Sequence, residues 1–231
     1  MKIAFLVPAY NESATIRGVL EAIDALGLDR QVVVVDDGST DATAEIVREY
    51  AESSPGIVLL QQANQGKGAA LRAGIPLLEG DVAVIQDADM EYDPAEVPHL
   101  IDPILQGVAD VVYGSRLSGG RAQRAYMFWH LMGNKFLSLL TGVLFNTTLS
   151  DMETGYKAFR LEILKSLPLT ESQFGIEPEI TGWICRRHLR IYEVPISYYG
   201  RTYDEGKNIT WRDGFRAVWV LLRVRFTPSR G

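Results

Sequence analysis

The stretch QVVVVDDGSTDATAEIVREYAES, residues 31–53, carries three successive signals of secondary structure. Its first part is a β-branched, apolar run, which predicts a strand that is buried on both faces. The strand ends at the polar segment DDGSTD, and a helical pattern that opens with capping residues follows it. A strand, a polar loop and a helix in this order form one half of a parallel crossover unit.

Strands of the same kind recur four more times in the first half of the chain, beginning near residues 2, 56, 81 and 109. A helical pattern separates each strand from the next. Because successive parallel strands need crossover connections, this alternation predicts a mostly parallel sheet with helices on both faces. We expect an α/β protein whose less regular second half, from about Arg116, caps the sheet.

The composition is ordinary for a packed globular protein, with 47% hydrophobic and 23% charged residues among 231. The net charge of -6 argues against broad nucleic-acid binding. Cys185 is the only cysteine, so no intrachain disulfide can form, which fits a reducing compartment. The first residues lack the long apolar core of a signal peptide. We therefore expect a cytoplasmic protein with no nucleic-acid partner.

A polar segment follows each of the five predicted strands. In an open parallel sheet the carboxyl ends of the strands meet at one edge, and ligands bind there. The segments are PAYNE (8–12), DDGSTD (36–41), NQGKG (64–68), DADMEYD (87–93) and GSR (114–116). The sequence therefore predicts one binding site that is built from all five loops.

The acidic segment predicts a metal site. Asp87 ends a buried strand, and Asp89 and Glu91 follow at two-residue steps. If the segment is extended, alternate side chains share a face, and three carboxylates suit a hard cation such as Mg²⁺ or Mn²⁺ that also holds a diphosphate. The alternative is a solvated acidic turn in which Asp93 caps the next helix.

Two further loops hold candidate ligands. Asp37 ends the second strand just before Gly38, which allows a tight turn, and we expect its carboxylate to bind a ligand. Lys67 lies between glycines at the start of a predicted helix, where it is either a phosphate ligand or an exposed side chain. The loop is not a P-loop, because the GxxxxGK[ST] spacing is absent.

Two apolar segments, residues 125–145 and 211–226, leave two interpretations open. Each is either a helix packed on its own domain or a partner, or an amphipathic element at a membrane surface. Lys135 argues against a membrane span. In the second segment one helical arc with arginines beside it holds Trp211, Phe215, Val218, Trp219, Leu222 and Phe226.

Six motifs in order resemble family 2 glycosyltransferases of the GT-A fold: VPAYNE, VVDDGSTD, NQGKGAALRAG, DADMEYDP, YGSR and DMETGYKAFR. The nearest resemblance is to the polyprenyl-phosphate mannose and glucose synthases, the dolichol-phosphate mannose synthase group. It implies a Rossmann-like GT-A sheet in a single domain, residues 1–231. Residues 1–115 would bind the nucleotide sugar, and residues 116–231 would form the acceptor-side half with its amphipathic C-terminal helix.

The resemblance also implies roles for single residues. The nucleotide-sugar ligands would be Pro8, Tyr10, Glu12, Asp37, Lys67, Asp87 and Ala88. The ligands of Mg²⁺ or Mn²⁺ would be Asp87, Asp89 and Glu91. The acceptor side would use Arg116, Thr154, Gly155, Arg201 and Lys207, the last two from the late basic loop GRTYDEGKN. The catalytic residues would be Asp89, Arg116 and Asp151.

The implied reaction is inverting, metal-dependent transfer of a hexose from a donor of the GDP-mannose or UDP-glucose type to a polyprenyl phosphate. Such an acceptor is already anionic and needs little help from a general base. The alternative is a soluble glycosyltransferase that acts on a hydroxyl of a small molecule or saccharide. That acceptor needs a base, for which Asp151 is the first candidate and Glu177 the next.

Other classes fit less well. Nucleotidyl transferases have a glycine-rich loop with an arginine after the first strand, where PAYNE stands here. The carboxylates at the fourth strand argue against a binding subunit with an inactive site, and a pyrophosphatase-like hydrolase would need a positioned water. A lipid acceptor further implies peripheral contact with the cytoplasmic face of the membrane, or a membrane-anchoring partner.

Overall fold

The computed structural model describes residues 1–121, 128–200 and 211–228. In these residues seven strands form one sheet. The strands are β1 (Ile3–Ala9), β2 (Arg30–Asp36), β3 (Ile57–Gln61), β4 (Val82–Ile85), β5 (Val111–Ser115), β6 (Lys157–Arg160) and β7 (Ile191–Pro195). The helices are α1 (Ile16–Asp24), α2 (Thr43–Ser53), α3 (Lys67–Gly74), α4 (Val97–Leu105), α5 (Phe128–Phe145), α6 (Leu161–Ser166), α7 (Ile176–Arg186) and α8 (Trp211–Phe226).

The strand order is β3-β2-β1-β4-β6-β5-β7. Only β6 runs antiparallel to its neighbours, so the prediction of a mostly parallel α/β sheet is confirmed. The second half of the chain does more than cap this sheet, because it supplies β6 in the middle and β7 at one edge. The four residues of β6 begin with a lysine, and so short a run carries no clear strand periodicity.

Both faces of the sheet are buried, which explains the continuous apolar runs of β1 and β2. Phe5 and Val34 pack on one face with α1 and α4, while Leu6 and Val33 pack on the other with α3, α6 and α7. Burial of each such side chain contributes about 1.5–3 kcal/mol. These two layers fix the strand ends that carry the polar loops.

Helix α8 has two apolar faces. Ala217, Val220, Leu221 and Val224 are buried where α8 packs on α5 and α7, which confirms that the helix docks on its own chain. Of the predicted apolar arc, Val218 packs partly into this contact, whereas Phe215 and Trp219 stay outside it and are 70% and 54% exposed. Arg216 and Arg223 bind Glu171 and Glu179 of the same chain, so they anchor the helix.

Helix α5 exposes a second set of apolar side chains beside α8. The largest are Phe128, Trp129, Phe136, Leu139 and Val143. None of the helices that the structure describes combines the length and the apolar character needed to cross a bilayer.

Candidate active site

The polar loops meet at one edge of the sheet, as the sequence predicts. The carboxyl ends of β1, β2, β4 and β5 lie there. Because β6 is antiparallel, its first residue, Lys157, pairs with Ile85 at the end of β4 and with Tyr113 of β5. The segment 151–156 just before β6 therefore reaches the same edge, and donor-side and acceptor-side motifs become neighbours.

The loops after β1 and β2 are bound to each other. The Asn11 amide donates to Ser39 Oγ (2.9 Å), and the Thr40 amide donates to Asn11 Oδ1 (2.8 Å). Asn11 has a φ of 55°, a left-handed conformation that asparagine tolerates. Glu12 is held by its amide, which donates to Thr43 Oγ1 (2.9 Å), while Tyr10 next to these contacts is 46% exposed. The structure thus brings these predicted base ligands and Pro8 of β1 to one corner.

Asp37 is buried and its carboxylate holds the loop after β3. It accepts hydrogen bonds from Gln62 Nε2 (2.6 Å) and from the amides of Gln65 (2.9 Å) and Gly66 (2.7 Å). These contacts fix the loop that leads into α3 and thereby place Lys67. Its predicted contact with the nucleotide stays a prediction.

Lys67 is neither exposed nor directed to solvent, so the interpretation as an exposed side chain is wrong. Its Nζ lies 2.6 Å from Asp87 Oδ1 and 3.6 Å from Glu177 Oε1. Burial by itself lowers the pKa of Lys67, but the two carboxylates outweigh it and raise the pKa above its ordinary value. The ammonium group therefore stays charged beside the predicted metal ligand.

The segment after β4 is a turn, so the predicted extended geometry is wrong. Met90 has a φ of 58°, which reverses the chain. Asp89 Oδ1 accepts a hydrogen bond from the Glu91 amide (3.1 Å), and Glu91 Oε2 accepts one from the Tyr198 hydroxyl (2.7 Å). In residues 1–121, 128–200 and 211–228 no three acidic, histidine or cysteine side chains gather as a metal group. The role of Glu91 as third ligand stays a prediction.

The donor set nevertheless fits a divalent cation that needs few protein ligands. Asp87 and Asp89 offer hard oxygens on either side of buried Ala88, whose carbonyl accepts from Thr15 Oγ1 (2.8 Å). A Cβ on Gly155 would lie 2.6 Å from Asp87 Oδ2, so only glycine leaves that oxygen its space. Mg²⁺ and Mn²⁺ commonly use one or two carboxylates and complete their shell with substrate phosphates and water.

Arg116 and Asp151 form a bidentate pair on the acceptor side. Arg116 Nε donates to Asp151 Oδ2 and Nη2 donates to Oδ1, both at 2.7 Å, and the Arg116 amide adds a bond of 2.9 Å. Asp151 is fully buried and both of its oxygens are engaged. Burial opposes the charge of Arg116, but Asp151 raises its pKa well above the ordinary value. The pair therefore presents a cation to the site and holds its carboxylate away from solvent.

Two further residues support this pair: Glu193, which the sequence did not predict, and Thr154, which it did. Glu193 of β7 accepts from the amides of Ser150 (2.9 Å) and Asp151 (3.2 Å) and so fixes the turn. The predicted acceptor ligand Thr154 is buried, and its hydroxyl donates to Gly114 O (2.8 Å). Sequence reasoning missed Glu193, although a glutamate among apolar strand residues is a signal of a buried polar contact.

Three tyrosines line the centre of the site and were not predicted. Tyr92 stacks on Tyr156 with centroids 5.1 Å apart, and Tyr198 lies 5.5 Å from Tyr92. The Gly155 amide donates to the Tyr92 hydroxyl (3.0 Å). Arg116 lies over the Tyr198 ring at 5.1 Å, which adds a cation–π contact. The cluster thus joins the acidic turn to the acceptor segment.

A group of buried charges lies behind the tyrosines. Lys157 is fully buried and donates to Glu177 Oε2 and to the Thr154 carbonyl. Burial lowers the pKa of Lys157, and the nearby Glu177 only partly offsets this. Burial and the charge of Glu177 raise the pKa of Glu153 to about 7. The predicted ligands Arg201 and Lys207 lie outside the described residues.

Comparison with known proteins places this chain in a family. The model of the family "Glycosyl transferase family 2" matches residues 4–167. The dolichol-phosphate mannosyltransferase of Pyrococcus furiosus is 31% identical over 212 residues, which cover 90% of this chain and 59% of that protein. The undecaprenyl-phosphate mannosyltransferase of Micrococcus luteus is 31% identical over an alignment of 249 residues, which covers 97% of this chain and 99% of that protein.

The fold is shared with solved structures. Glucosyl-3-phosphoglycerate synthase of Mycobacterium tuberculosis, in complex with Mn²⁺, UDP and phosphoglyceric acid, superposes with a TM-score of 0.76 at 24% identity, covering 100% of this chain and 80% of that one. The same enzyme with Mn²⁺, UDP and glucosyl-3-phosphoglycerate gives a TM-score of 0.73 at 25% identity, covering 100% and 82%. The motifs, the GT-A sheet and the family match agree, and the chain belongs to glycosyl transferase family 2.

Proposed function

We propose that this protein transfers a hexose, with inversion, from a nucleotide-diphosphate sugar to a polyprenyl phosphate with the aid of Mg²⁺ or Mn²⁺. The observation that carries the proposal is the Arg116–Asp151 pair. It offers the acceptor a buried cation and leaves Asp151 without an oxygen to act as a base. Such a site suits an acceptor whose nucleophilic oxygen is already charged.

Residues 1–115 bind the donor in this proposal. Tyr10 and Glu12 hold the nucleotide, and Lys67 contributes positive charge near its diphosphate. Asp87 and Asp89 would hold the cation, which when bound neutralises the charge that develops on the leaving nucleoside diphosphate. The family match and the Mn²⁺ complexes of the structural relative support this half of the proposal.

Residues 116–231 present the acceptor. Arg116 binds the acceptor phosphate and orients one of its oxygens toward the anomeric carbon, and Tyr198 holds the guanidinium in place. Arg201 and Lys207 add charge to the same phosphate. A single displacement on the face opposite the leaving group inverts the configuration. The names of the relatives from Pyrococcus furiosus and Micrococcus luteus support a polyprenyl phosphate as acceptor.

A lipid acceptor requires the enzyme to meet a membrane. Extraction of a polyprenyl chain into water costs about 0.8 kcal/mol for each exposed methylene. Helix α8 exposes an apolar face, and α5, which packs against α8, exposes further apolar side chains. We assign this face to peripheral contact with the cytoplasmic side of a bilayer, where aromatic side chains are at home.

A soluble acceptor is the second candidate. The structural relative from Mycobacterium tuberculosis is seen with phosphoglyceric acid, which is not a lipid. Transfer to a hydroxyl would require Asp151 to leave its bidentate pair with Arg116 and become accessible. A soluble compound that carries a phosphate would still profit from Arg116, so the decisive variable is the nucleophilic group.

A donor screen tests the proposal. GDP-mannose and UDP-glucose are each incubated with the protein and Mn²⁺, with and without a short-chain polyprenyl phosphate, and released nucleoside diphosphate is measured. We expect release from one donor that depends on the lipid phosphate and stops in excess EDTA. Release that is unchanged by the lipid phosphate would contradict the proposed acceptor. Release that persists in excess EDTA would contradict the proposed metal dependence.

A further inference from the structure

Four charged side chains form a continuous chain behind the acidic turn, in which Lys157 and Glu177 are buried and Lys67 and Asp87 are partly buried. Asp87 Oδ1 lies 2.6 Å from Lys67 Nζ, and Lys67 lies 3.6 Å from Glu177 Oε1. The other oxygen of Glu177 binds Lys157, which also donates to the carbonyl of Thr154. Two carboxylates and two ammonium groups alternate in this chain, so their charges cancel.

The chain connects the donor side to the acceptor side. Asp87 belongs to the turn after β4, Lys67 to α3, Glu177 to α7 and Lys157 to β6. Gly155 closes the arrangement, because a Cβ there would lie 2.6 Å from Asp87 Oδ2 and 3.0 Å from Lys67 Nζ. A substrate would not readily displace Glu177 from its two ammonium groups, because breaking a buried ion pair leaves an uncompensated charge.

We propose that Glu177 is a positioning residue that divides Lys67 between two carboxylates and so keeps Asp87 able to bind a divalent cation. This inference rests on the proposed function and assigns Glu177 a role other than general base. The lone contact of Glu177 Oε1 is the longer one to Lys67, and this oxygen accepts no hydrogen bond in the part of the chain that the structure describes. Glu177 therefore acts on Lys67 through charge at short range.

The charges predict the direction of each substitution. Glu177→Gln leaves one ammonium group in excess, and Lys67 then has Asp87 as its only anionic partner among these four. A divalent cation would then have to approach Asp87 while the excess positive charge of Lys67 lies beside it. Lys157→Met leaves one carboxylate in excess and has the opposite effect. The double variant Glu177→Gln/Lys157→Met is neutral again.

The test measures Mn²⁺ binding to the whole protein in the absence of donor, and free Mn²⁺ is detected by electron paramagnetic resonance. For Glu177→Gln we expect affinity to fall at least about ten-fold, because one uncompensated positive charge in the site repels a divalent cation even at an effective dielectric constant near 20. The double variant should return to within about three-fold of wild type, and Lys157→Met should bind more tightly. Glu179→Gln is the matched control, because Glu179 is buried on the same helix but binds Thr170 and Arg223.

The outcomes separate this inference from the proposed function. Wild-type affinity in Glu177→Gln would overturn the inference, and so would a double variant as weak as the single one. If Glu177→Gln does not fold, Lys157→Met carries the test, and unchanged or weaker affinity overturns the inference. The expected Mn²⁺ pattern in a protein that transfers no sugar to polyprenyl phosphate would support the inference and contradict the proposed function. A wild type that binds no Mn²⁺ would overturn the inference and the metal part of that function.

Discussion

Asp151 is buried among partners that a general base would have to give up. Its carboxylate accepts from two guanidinium nitrogens and one amide of Arg116, and the turn that carries it is fixed by Glu193. If the carboxylate moved out to solvent, the buried guanidinium of Arg116 would lose its ionic partner, which costs several kcal/mol. In the proposed function Asp151 therefore keeps Arg116 charged and oriented, and Arg116 binds the acceptor phosphate.

Arg116→Lys tests this assignment because lysine keeps the charge but cannot form the bidentate pair. We expect transfer to polyprenyl phosphate to fall at least about ten-fold, the loss of roughly one charge-assisted hydrogen bond. Donor binding, measured by calorimetry, should stay within about two-fold because Arg116 lies on the acceptor side. An equal loss of donor affinity would show that Arg116 serves the diphosphate instead.

Glu153 predicts a dependence of stability on pH. Its folded-state pKa of about 7 is above that of an unfolded glutamate, mainly through burial and then through Glu177. The folded state therefore binds more protons between about pH 4.5 and 7, and stability falls as pH rises through this window, by at most about 3 kcal/mol. Glu153→Gln removes this loss.

The measurement for Glu153→Gln is chemical denaturation at pH 5 and pH 8. We expect the variant to be more stable than wild type at pH 8 and to differ little at pH 5, where Glu153 is already protonated in the folded state. Equal differences at both pH values would show that Glu153 is ionised in the folded protein throughout.

Helices and strands show where sequence reasoning succeeds and where it stops. The strands β1, β2 and β4 contain continuous apolar runs and end in polar loops, and these signals are local, so the strands are correctly predicted. Strand β6 lies in the sheet only because β4 and β5 leave a place for it, which no local pattern reveals. The acidic turn differs from an extended segment through one left-handed residue, Met90, which is not glycine or asparagine.

The candidate site divides in the same way. The loops that hold its residues follow from the strand ends, so Glu12, Asp87 and Arg116 were predicted at one edge. The partners of those residues come from distant segments: Lys67 meets Glu177, and Arg116 meets Tyr198. Such pairings depend on tertiary packing, and no local pattern in a single sequence reveals them. Burial of Thr154 and Asp37 was missed for the same reason.

The exposed arc of α8 makes a prediction about membranes. Phe215→Ser/Trp219→Ser changes two exposed side chains and leaves the buried face intact. We expect the variant to lose most of its flotation with anionic liposomes, while its melting temperature stays near that of wild type. The control is Leu105→Ser, an exposed apolar residue of α4. Unchanged flotation of the α8 variant would place the membrane contact elsewhere or remove it.

In the proposed function, one sheet-centred body combines a donor site, a cationic acceptor site and two helices that expose apolar side chains. Each of these parts has a role if the acceptor is a lipid that carries its own negative charge. Arg116 then binds the phosphate, no base is needed, and α5 and α8 meet the bilayer from which the lipid comes. The central claim is therefore that the nucleophile is a phosphate oxygen.

The most direct test compares two acceptors that differ only in that phosphate. A short-chain polyprenyl phosphate and the matching polyprenol are presented in the same vesicles, and transfer of labelled hexose from the donor found in the screen is followed by mass spectrometry. The account predicts a glycosyl phosphate product from the first lipid and no product from the second. Transfer to the polyprenol at a comparable rate would contradict it and would return Asp151 to the role of general base.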